Sequence, residues 1–406
     1  MDSPELFRAA LGLGNDWTID RVEFVKAENE LHLHLRYVMG SPLPACRECG
    51  SAGVHIHDMR EHTWRHLDFW QHKTYLHAVV PRVRCGEGHV HVLPVPWARK
   101  GSGYTLLLEG MVLELAKGMP VAQVAEIVRL ADKKCWRIVD WYVRRAVERQ
   151  NLSKVRRIGV DETSRRRRHR YMTIFMDLDE RRVIFITEGK GKATIAAFAA
   201  FLKLHGGDPA AITDVSCDMS EAFLTGVAQH LPNARVTLDR FHIVKLIGDA
   251  LDAVRRRERH EQPCLAGSKY AVLKRPDRLT DDEQRLLADL ERRNLDTVRA
   301  YHLRPLFDDF FQQRTDHDGR GFLKAWVAKA TTSGIEEMTR VGQTVRKHWH
   351  LIVNWTRTRI TNGLLEGFNS LLQAMKSSAR GYRSVEFITT IGYLIGLKPK
   401  EGFHHR

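Results

Sequence analysis

The amino-acid sequence predicts an α/β protein with a mixed sheet over residues 155–242, two small modules ahead of it and a helical block behind it. Three observations predict this class. Between 155 and 242, extended segments rich in β-branched residues alternate with segments at helical spacing. Acidic residues follow several of the extended segments. From about 246 to 355, apolar residues recur at helical spacing, which predicts an all-helical stretch.

The central segments follow the order three strands, helix, strand, helix, strand. Strands separated by one crossover helix are expected to be parallel. In a sheet of order 3-2-1-4-5, which we expect here, the fourth strand lies beside the first. Gly206-Gly207 ends the first helix, and Ser220 is the N-cap candidate of the second. The predicted strands are 155–162, 171–177, 182–188, 211–217 and 234–238, and the predicted helices are 192–205 and 220–230.

Carboxylates come at the ends of these strands. Asp161 and Glu162 end the first strand and Asp218 follows the fourth. Sites in such sheets gather outside the carboxyl ends of the strands. Two carboxylates held close together repel each other unless a cation neutralises them, and hard oxygen ligands suit Mg²⁺ or Mn²⁺. A third carboxylate is available in Glu366, at the start of a predicted helix that runs to about Met375.

Two aspartates compete for the second position in this site. Asp218 is favoured because its strand neighbours that of Asp161, whereas Asp239 ends a strand one place further out. Asp239 and His242 are then interpreted as a supporting pair. Glu162 is expected to point away from Asp161, because successive side chains in a strand face opposite sides.

A metal-ligand pattern lies in the first hundred residues. Cys46 and Cys49 have the spacing at which two thiolates on a tight turn share one zinc ion, and Cys85 and His89 supply a second pair. His91 is an alternative fourth ligand. Since strands are predicted at 63–69 and 74–84, between the two pairs, residues 1–100 are interpreted as a zinc ribbon. Four protein ligands leave no open position, so the zinc is structural.

Residues 103–150 predict a helix-turn-helix. After a first helix at 104–117, helices at 121–129 and 133–146 are separated by a short turn. The last helix carries cations that are expected to contact DNA phosphates and base edges. They are Lys133, Lys134, Arg137, Arg144 and Arg145. The alternative interpretation is a plain helical connector.

The overall charge favours a polyanionic partner. The 406 residues carry a net charge of +15, and no segment is long and apolar enough to predict a membrane span or a signal peptide. A tract of arginines between the first two core strands is interpreted as a DNA-backbone contact, with a solvated charge run as the alternative. It comprises Arg165, Arg166, Arg167 and Arg168. Scattered cysteines predict a reducing cytosol.

Several of these segments resemble a known family. The sequence is similar to DDE-type transposases of bacterial insertion sequences, most of all to the ISL-three family, over nearly the whole chain. The segments that carry the resemblance are Gly159-Val-Asp-Glu162, Asp218-Met219, Pro232-Asn-Ala-Arg-Val-Thr-Leu-Asp-Arg-Phe-His242 and Asn362-Gly-Leu-Leu-Glu-Gly-Phe-Asn369. The resemblance implies a ribonuclease-H-like catalytic core, formed by 155–245 and 356–400 and interrupted by an all-helical insertion at 246–355.

The resemblance also implies the chemistry. Asp161, Asp218 and Glu366 would hold two Mg²⁺ or Mn²⁺ ions that cut and join DNA strands, with Asn369 as a supporting contact. The ribbon and the helix-turn-helix would recognise the terminal inverted repeats of the element, and target DNA would be the second substrate. A homodimer or a larger assembly is expected, because two ends must be held together. The alternatives are a catalytically silent DNA-binding regulator derived from a transposase and a nuclease that only cuts.

Overall fold

The computed structural model describes residues 3–166 and 170–398 and divides them into two compact units. The N-terminal unit contains the described residues up to Ala146 together with Met375–Tyr382. The C-terminal unit contains Val147–Ala374 and Arg383–Lys398. In the described residues, no helix is both long and apolar enough to cross a membrane.

The N-terminal unit begins with a sheet in the order β1-β2-β4-β3, with β5 paired to β4. The β2–β4 pair is parallel and the other pairs are antiparallel. A turn with Asn29 in the left-handed region (φ 55°) joins β1 to β2. The elements are α1 Ser3–Ala10, β1 Trp17–Val25, β2 Glu30–Tyr37, β3 Val54–Arg65, β4 Lys73–Cys85 and β5 Val90–Val92.

The predicted bounds of β3 are wrong. The strand begins nine residues before the predicted start and ends at Arg65, four residues before the predicted end. Its first half alternates Val and Ile with exposed histidines and charged residues, and so carries too few apolar residues to be recognised in the sequence. Its apolar end is clear, since Trp64 packs edge-on against Trp97 at 5.5 Å between ring centroids.

Three helices follow the sheet and confirm the predicted helix-turn-helix outline. They are α2 Leu106–Ala116, α3 Val121–Ile127 and α4 Asp132–Glu148. Arg129, with φ 53°, makes the sharp turn between α3 and α4. The backbone of Arg65 donates to Gly103 and accepts from Thr105, at 2.9 and 3.0 Å, so the sheet and the helices are hydrogen-bonded to each other.

A buried ion pair fastens α2 to its surroundings. The carboxylate of Glu109 is fully buried and lies 2.9 Å from the guanidinium of Arg99. Ser102 and Tyr142 each donate a hydroxyl hydrogen bond of 2.7 Å to the same carboxylate. Because a buried charge is tolerated only when it is paired and fully hydrogen-bonded, the loop at 99–102, α2 and α4 are held in one arrangement.

The C-terminal unit contains a second sheet, in the order β10-β9-β6-β7-β8. Both β9 and β10 run parallel to β6, and β7 and β8 add antiparallel strands on its other side. This confirms the predicted order 3-2-1-4-5. The elements are β6 Arg157–Arg166, β7 Arg170–Asp177, β8 Arg182–Glu188, α5 Lys192–Leu204, β9 Asp214–Cys217, α6 Glu221–His230 and β10 Arg235–Leu238.

Local differences from the prediction have physical causes. β9 starts three residues late, because Pro209–Ala211 forms a 3₁₀ turn capped by the Asp208 side chain. Ser220 stands at the N-cap position of α6, but its hydroxyl makes no capping hydrogen bond. The carboxylate of Asp218 instead accepts a hydrogen bond from the backbone N–H of Ser220, at 2.9 Å.

Between β10 and residue 359 the described chain is helical. Trp326 lies at the centre of this block, where its indole N–H donates to the carbonyl of Leu303 at 2.8 Å. Thr280 and Glu283 form a capping box at the start of α9 (Asp281–Glu291). The helices are α7 Arg240–Glu258, α8 Lys269–Leu273, α9 Asp281–Glu291, α10 Asp296–Asp308, α11 Asp316–Thr331, α12 Glu336–Lys347, α13 Trp349–Val353 and α14 Trp355–Thr358, followed by α15 Gly363–Ser378 and α16 Val385–Gly396.

The buried ion pair of the N-terminal unit leads to a stability prediction. Replacing Glu109→Gln leaves Arg99 without its counter-charge and should destabilise the unit by roughly 3–5 kcal/mol. Hydrogen–deuterium exchange measured on the full chain should show faster exchange across α2 and α4. Glu114→Gln is the matched control, because Glu114 pairs with Lys117 at the surface of the same helix; such pairs contribute about 1 kcal/mol or less. Equal exchange in both variants would contradict the prediction.

Candidate active site and zinc centre

Three aspartates lie at one edge of the second sheet. The β6–β9 pairing ends at Gly159 and Ser216, and the β9–β10 pairing ends at Cys217 and Leu238. Asp218 and Asp239 follow the last of these pairs directly, and Asp161 lies two residues beyond Gly159. The prediction that Asp161 ends its strand is wrong, because β6 continues past it to Arg166 along β7.

The carboxylate of Asp161 has partners from α15 and α7. Its Oδ2 accepts a hydrogen bond of 2.7 Å from the side-chain amide of Asn369. Its Oδ1 lies 3.9 Å from Nε2 of His242. This contact with Asp161 raises the pKa of His242, although burial of the imidazole acts in the opposite direction. The contact therefore favours the protonated form of the imidazole beside the carboxylate.

Asp239 and Glu366 are direct neighbours. Asp239 is fully buried, and its Oδ1 accepts a 2.9 Å hydrogen bond from the backbone N–H of Asn362. Its Oδ2 is buried without a hydrogen-bond donor among the described residues. The pKa of Glu366 is raised to about 7; burial is the largest cause and the negative charge of Asp239 is the second.

Asp218 and Glu162 form the other side of the same cluster. Burial raises the pKa of Glu162 to about 7, with the charge of Asp218 as the second cause. The charge of Asp218 also contributes to the raised pKa of His242. Asp218 therefore lies beside the strand of Asp161, as predicted, whereas Asp239 is the aspartate that contacts Glu366. The structure brings both candidates to the cluster.

Asn362 is a functional candidate that sequence reasoning missed. Its side-chain amide donates to the carbonyl of Val160, at 3.0 Å, while its backbone N–H donates to Asp239. A Cβ at Gly159 would lie 2.8 Å from Oδ1 of Asn362, so this approach requires glycine in the strand. In the sequence, Gly159 just before Val160 and Asp161 was the signal that another segment approaches the backbone of this strand closely.

This donor set fits divalent cations. Carboxylate oxygens are the ligands that Mg²⁺ and Mn²⁺ prefer, and a cation would satisfy the partnerless Oδ2 of Asp239 and offset the repulsion between the charges of Asp239 and Glu366. Across the described residues, no three carboxylate or imidazole ligand atoms of this cluster all lie within 4.8 Å of one another.

The predicted zinc ligands come together in the N-terminal unit. The ligand atoms of Cys46, Cys49, Cys85 and His89 all lie within 4.8 Å of one another. The Cys49–Cys85 sulfur distance is 3.7 Å, and Nδ1 of His89 lies 3.5 Å from the Cys85 sulfur. A tetrahedral ion with bonds of about 2.0–2.3 Å requires ligand separations of roughly 3.5–3.8 Å. The site therefore fits structural zinc.

Two further observations support this centre. The backbone N–H groups of Cys49 and Glu48 lower the pKa of Cys46 to about 6, which favours the thiolate that binds metal. His91, the alternative fourth ligand, pairs through β5 with Val83 and lies outside the cluster. His89 thus occupies the fourth position in this structure.

The cations predicted to contact DNA divide into groups with different surroundings. All five in α4 are exposed. Arg144 pairs with Asp140 at 2.7 Å, and the guanidinium of Arg145 lies 4.8 Å from the centre of the Trp141 ring. Lys134 and Arg137 line a cavity of the N-terminal unit.

The arginine tract lies at the end of the β6–β7 hairpin. The backbone of Arg165 and Arg166 continues β6, whereas Arg167 and Arg168 lie outside the described residues. Their predicted contact with DNA stays a prediction.

Comparison with known protein families gives three consecutive matches. Residues 158–391 match the model of the ISL3 DDE domain, described as a transposase. Residues 93–143 match the helix-turn-helix domain of transposase family ISL3, and residues 42–89 match the zinc finger of the IS204/IS1001/IS1096/IS1165 transposases.

Individual relatives match over almost the full length. The chain is 28% identical over 433 residues to the transposase for insertion sequence element IS1557 of Mycobacterium tuberculosis, covering 97% of this chain and 96% of the relative. It is 24% identical over 388 residues to the transposase for insertion sequence element IS1001 of Bordetella parapertussis, covering 93% and 95%.

The zinc centre predicts a clear difference between two histidines. His89→Ala should lose the zinc during dialysis against a competing chelator, because it removes one of four ligands. His91→Ala should retain it, and it serves as the matched control. Metal content measured by plasma mass spectrometry should give about one zinc per chain in wild type. Retention by His89→Ala together with loss by His91→Ala would move the fourth ligand to His91.

The two asparagines predict positioning effects on the carboxylates. Asn369→Ala and Asn362→Ala should each raise the Mg²⁺ concentration needed for half-maximal DNA cleavage by about 10–100-fold, as outer partners of metal ligands do. DNA affinity without added divalent ions should not change. Asn233→Ala is the control, because that amide donates to the carbonyl of Ala210 away from the cluster. A loss of activity without a shift in the Mg²⁺ requirement would contradict a positioning role.

Proposed function

This chain belongs to the ISL3 family and is a DDE-type transposase of an insertion sequence, and we propose that Asp161, Asp218 and Glu366 are its catalytic carboxylates. The observation that carries the proposal is the convergence of these residues at one sheet edge. Asn369 and Glu366 lie one helical turn apart on α15; Asn369 contacts Asp161, and the charge of Asp161 acts on Glu366.

The finer fold assignment is part of this proposal. A ribonuclease-H-like core is supported by antiparallel β7 and β8 on one side of β6 and parallel β9 and β10 on the other. The helices between β10 and α15 support an all-helical insertion. The proposed domains are the zinc ribbon 1–100, the helix-turn-helix 103–150, the two core parts 155–245 and 356–400, and the insertion 246–355.

The protein's own groups have distinct roles in the proposed reaction. Two Mg²⁺ or Mn²⁺ ions, held by Asp161, Asp218 and Glu366, would supply Lewis-acid activation of the attacking oxygen and stabilisation of the leaving oxygen. Asn369 fixes the orientation of the Asp161 carboxylate through its 2.7 Å hydrogen bond. His242 and Asp239 support the cluster from α7 and from the end of β10; Nε2 of His242 lies 3.9 Å from Asp161, and this contact raises the pKa of the imidazole.

Substrate recognition is assigned to the N-terminal unit. We expect the ribbon and helix-turn-helix to bind the terminal inverted repeats, and the core to act on the element ends and on target DNA. Because two element ends must be held together, a homodimer or larger assembly on DNA is proposed. The net charge of +15 supports association with nucleic acid and with the bacterial nucleoid.

The experiment compares Mg²⁺-dependent cleavage and strand transfer on DNA that carries the element's ends. Glu366→Gln and Asp218→Asn should bind this DNA but cleave it about 10³-fold more slowly, since each removes a metal ligand worth several kcal/mol to the transition state. Asp282→Asn, a change at an exposed side chain, should behave as wild type.

The other outcomes distinguish the alternatives. If Asp218→Asn stays active while Asp239→Asn is inactive, the second catalytic carboxylate is Asp239. If the wild type cuts but never joins a supplied 3′-hydroxyl end, it is a nuclease. Binding without any cleavage in Mg²⁺ or Mn²⁺ would identify a silent regulator and overturn the proposal.

A further inference from the structure

The N-terminal unit contains a cavity of about 640 Å³. Its walls are β3, β4, the loop at 99–104, the turn before α4 and the first turns of α4. Its volume lies within the roughly 300–1,000 Å³ range of small-molecule sites. None of the described residues that line it is acidic, and its cations come from every bounding segment. They are Arg65, Lys73, Arg99, Arg129, Lys134 and Arg137.

Three of these six cations pair with carboxylates of the protein. Arg65 and Arg129 both pair with Asp68, and Arg99 pairs with the buried Glu109. Six positive charges less these two carboxylates leave a surplus of four at the cavity.

The surplus is concentrated on residues that face the cavity without a carboxylate. Lys73, Lys134 and Arg137 make no ion pair with any of the described residues. Lys134 and Arg137 are three residues apart and so share one face of α4. Lys73 reaches the same cavity from the start of β4.

This chemistry selects a phosphate-bearing anion. Concave walls of one charge sign concentrate counter-ions, and guanidinium and ammonium groups are the usual donors to phosphate oxygens. Tyr75 and Tyr104 add phenol groups to the wall.

We propose that this cavity binds backbone phosphates of DNA through Lys73, Lys134 and Arg137, so that the ribbon sheet and the helix-turn-helix clamp the same strand. The inference rests on the proposed function, because it takes the DNA to be an element end. Contacts of this kind fix position and register and do not read sequence. The cavity-facing cations of α4 are therefore phosphate anchors, distinct from any groups that read bases.

The test measures equilibrium binding of the full chain to duplexes carrying the element's end or a scrambled sequence, over a range of salt concentrations. All variants carry Glu366→Gln and no Mg²⁺ is added, so that the result does not depend on catalysis. Lys73→Gln, Lys134→Gln and Arg137→Gln should each make the slope of log K against log salt less steep by roughly 0.9. Affinity should fall by a similar factor on both duplexes. Lys26→Gln, an exposed change in the β1–β2 turn, should have no effect.

Folding and ligand source are checked in parallel. Retained zinc and unchanged hydrogen exchange in α2 and α4 show that a variant is folded; each single variant is tested, so that one misfolded protein does not decide the result. Unchanged salt slopes in all folded variants would overturn the proposal, as would a loss confined to the element-end duplex. If the variants lose calorimetric binding of dAMP or inorganic pyrophosphate but bind DNA as wild type, the cavity serves a free phosphate ligand and the DNA assignment is wrong.

Discussion

Electrostatic repulsion among carboxylates is the constraint on which the C-terminal unit depends. Asp161, Asp218, Asp239 and Glu366 meet at one sheet edge, and Asp239 is fully buried. Without compensation, such a cluster would be forced apart or would take up protons. The fold supplies hydrogen-bond donors from Asn362 and Asn369, and it leaves one oxygen of Asp239 without a donor in the described part of the chain. The site is thus built to be completed by cations.

The helical block makes this convergence possible. The chain leaves the sheet after Leu238 and contacts it again just before α15. Two contacts fix the return: Asn354 donates its side-chain amide to the carbonyl of Val236 at 2.7 Å, and the hydroxyls of Thr237 and Thr358 lie 2.9 Å apart. Both involve β10, the strand that Asp239 follows. The helical block is therefore anchored beside Asp239, the aspartate whose charge acts on Glu366 of α15.

The sequence predicted what local patterns encode and missed what depends on distant pairing. The parallel strands were predicted from the crossover helices between them, and the zinc ligands from the spacing of Cys46, Cys49, Cys85 and His89. Each of these two rules involves only residues that are close in the sequence or few in number. The position of Asp161 inside β6 depends on β7 extending further than β9, which periodicity does not reveal. Likewise, the contact of Asn362 with Val160 joins residues separated by 202 positions. The choice of His89 over His91 required the geometry of β5.

Charge is used differently in the two units. In the C-terminal unit, negative charge is concentrated at a sheet edge, where it can hold cations. In the N-terminal unit, the negative charges near the cavity are consumed by Arg99 and by the Asp68 pairs, so that the remaining lysines and Arg137 face it uncompensated. Glu109 therefore does more than stabilise α2: by fixing Arg99 and Tyr142, it holds the wall of the cavity while adding no negative charge to its lining. The side chains proposed to bind DNA and the carboxylates proposed to bind the catalytic metal ions thus belong to different units of the chain.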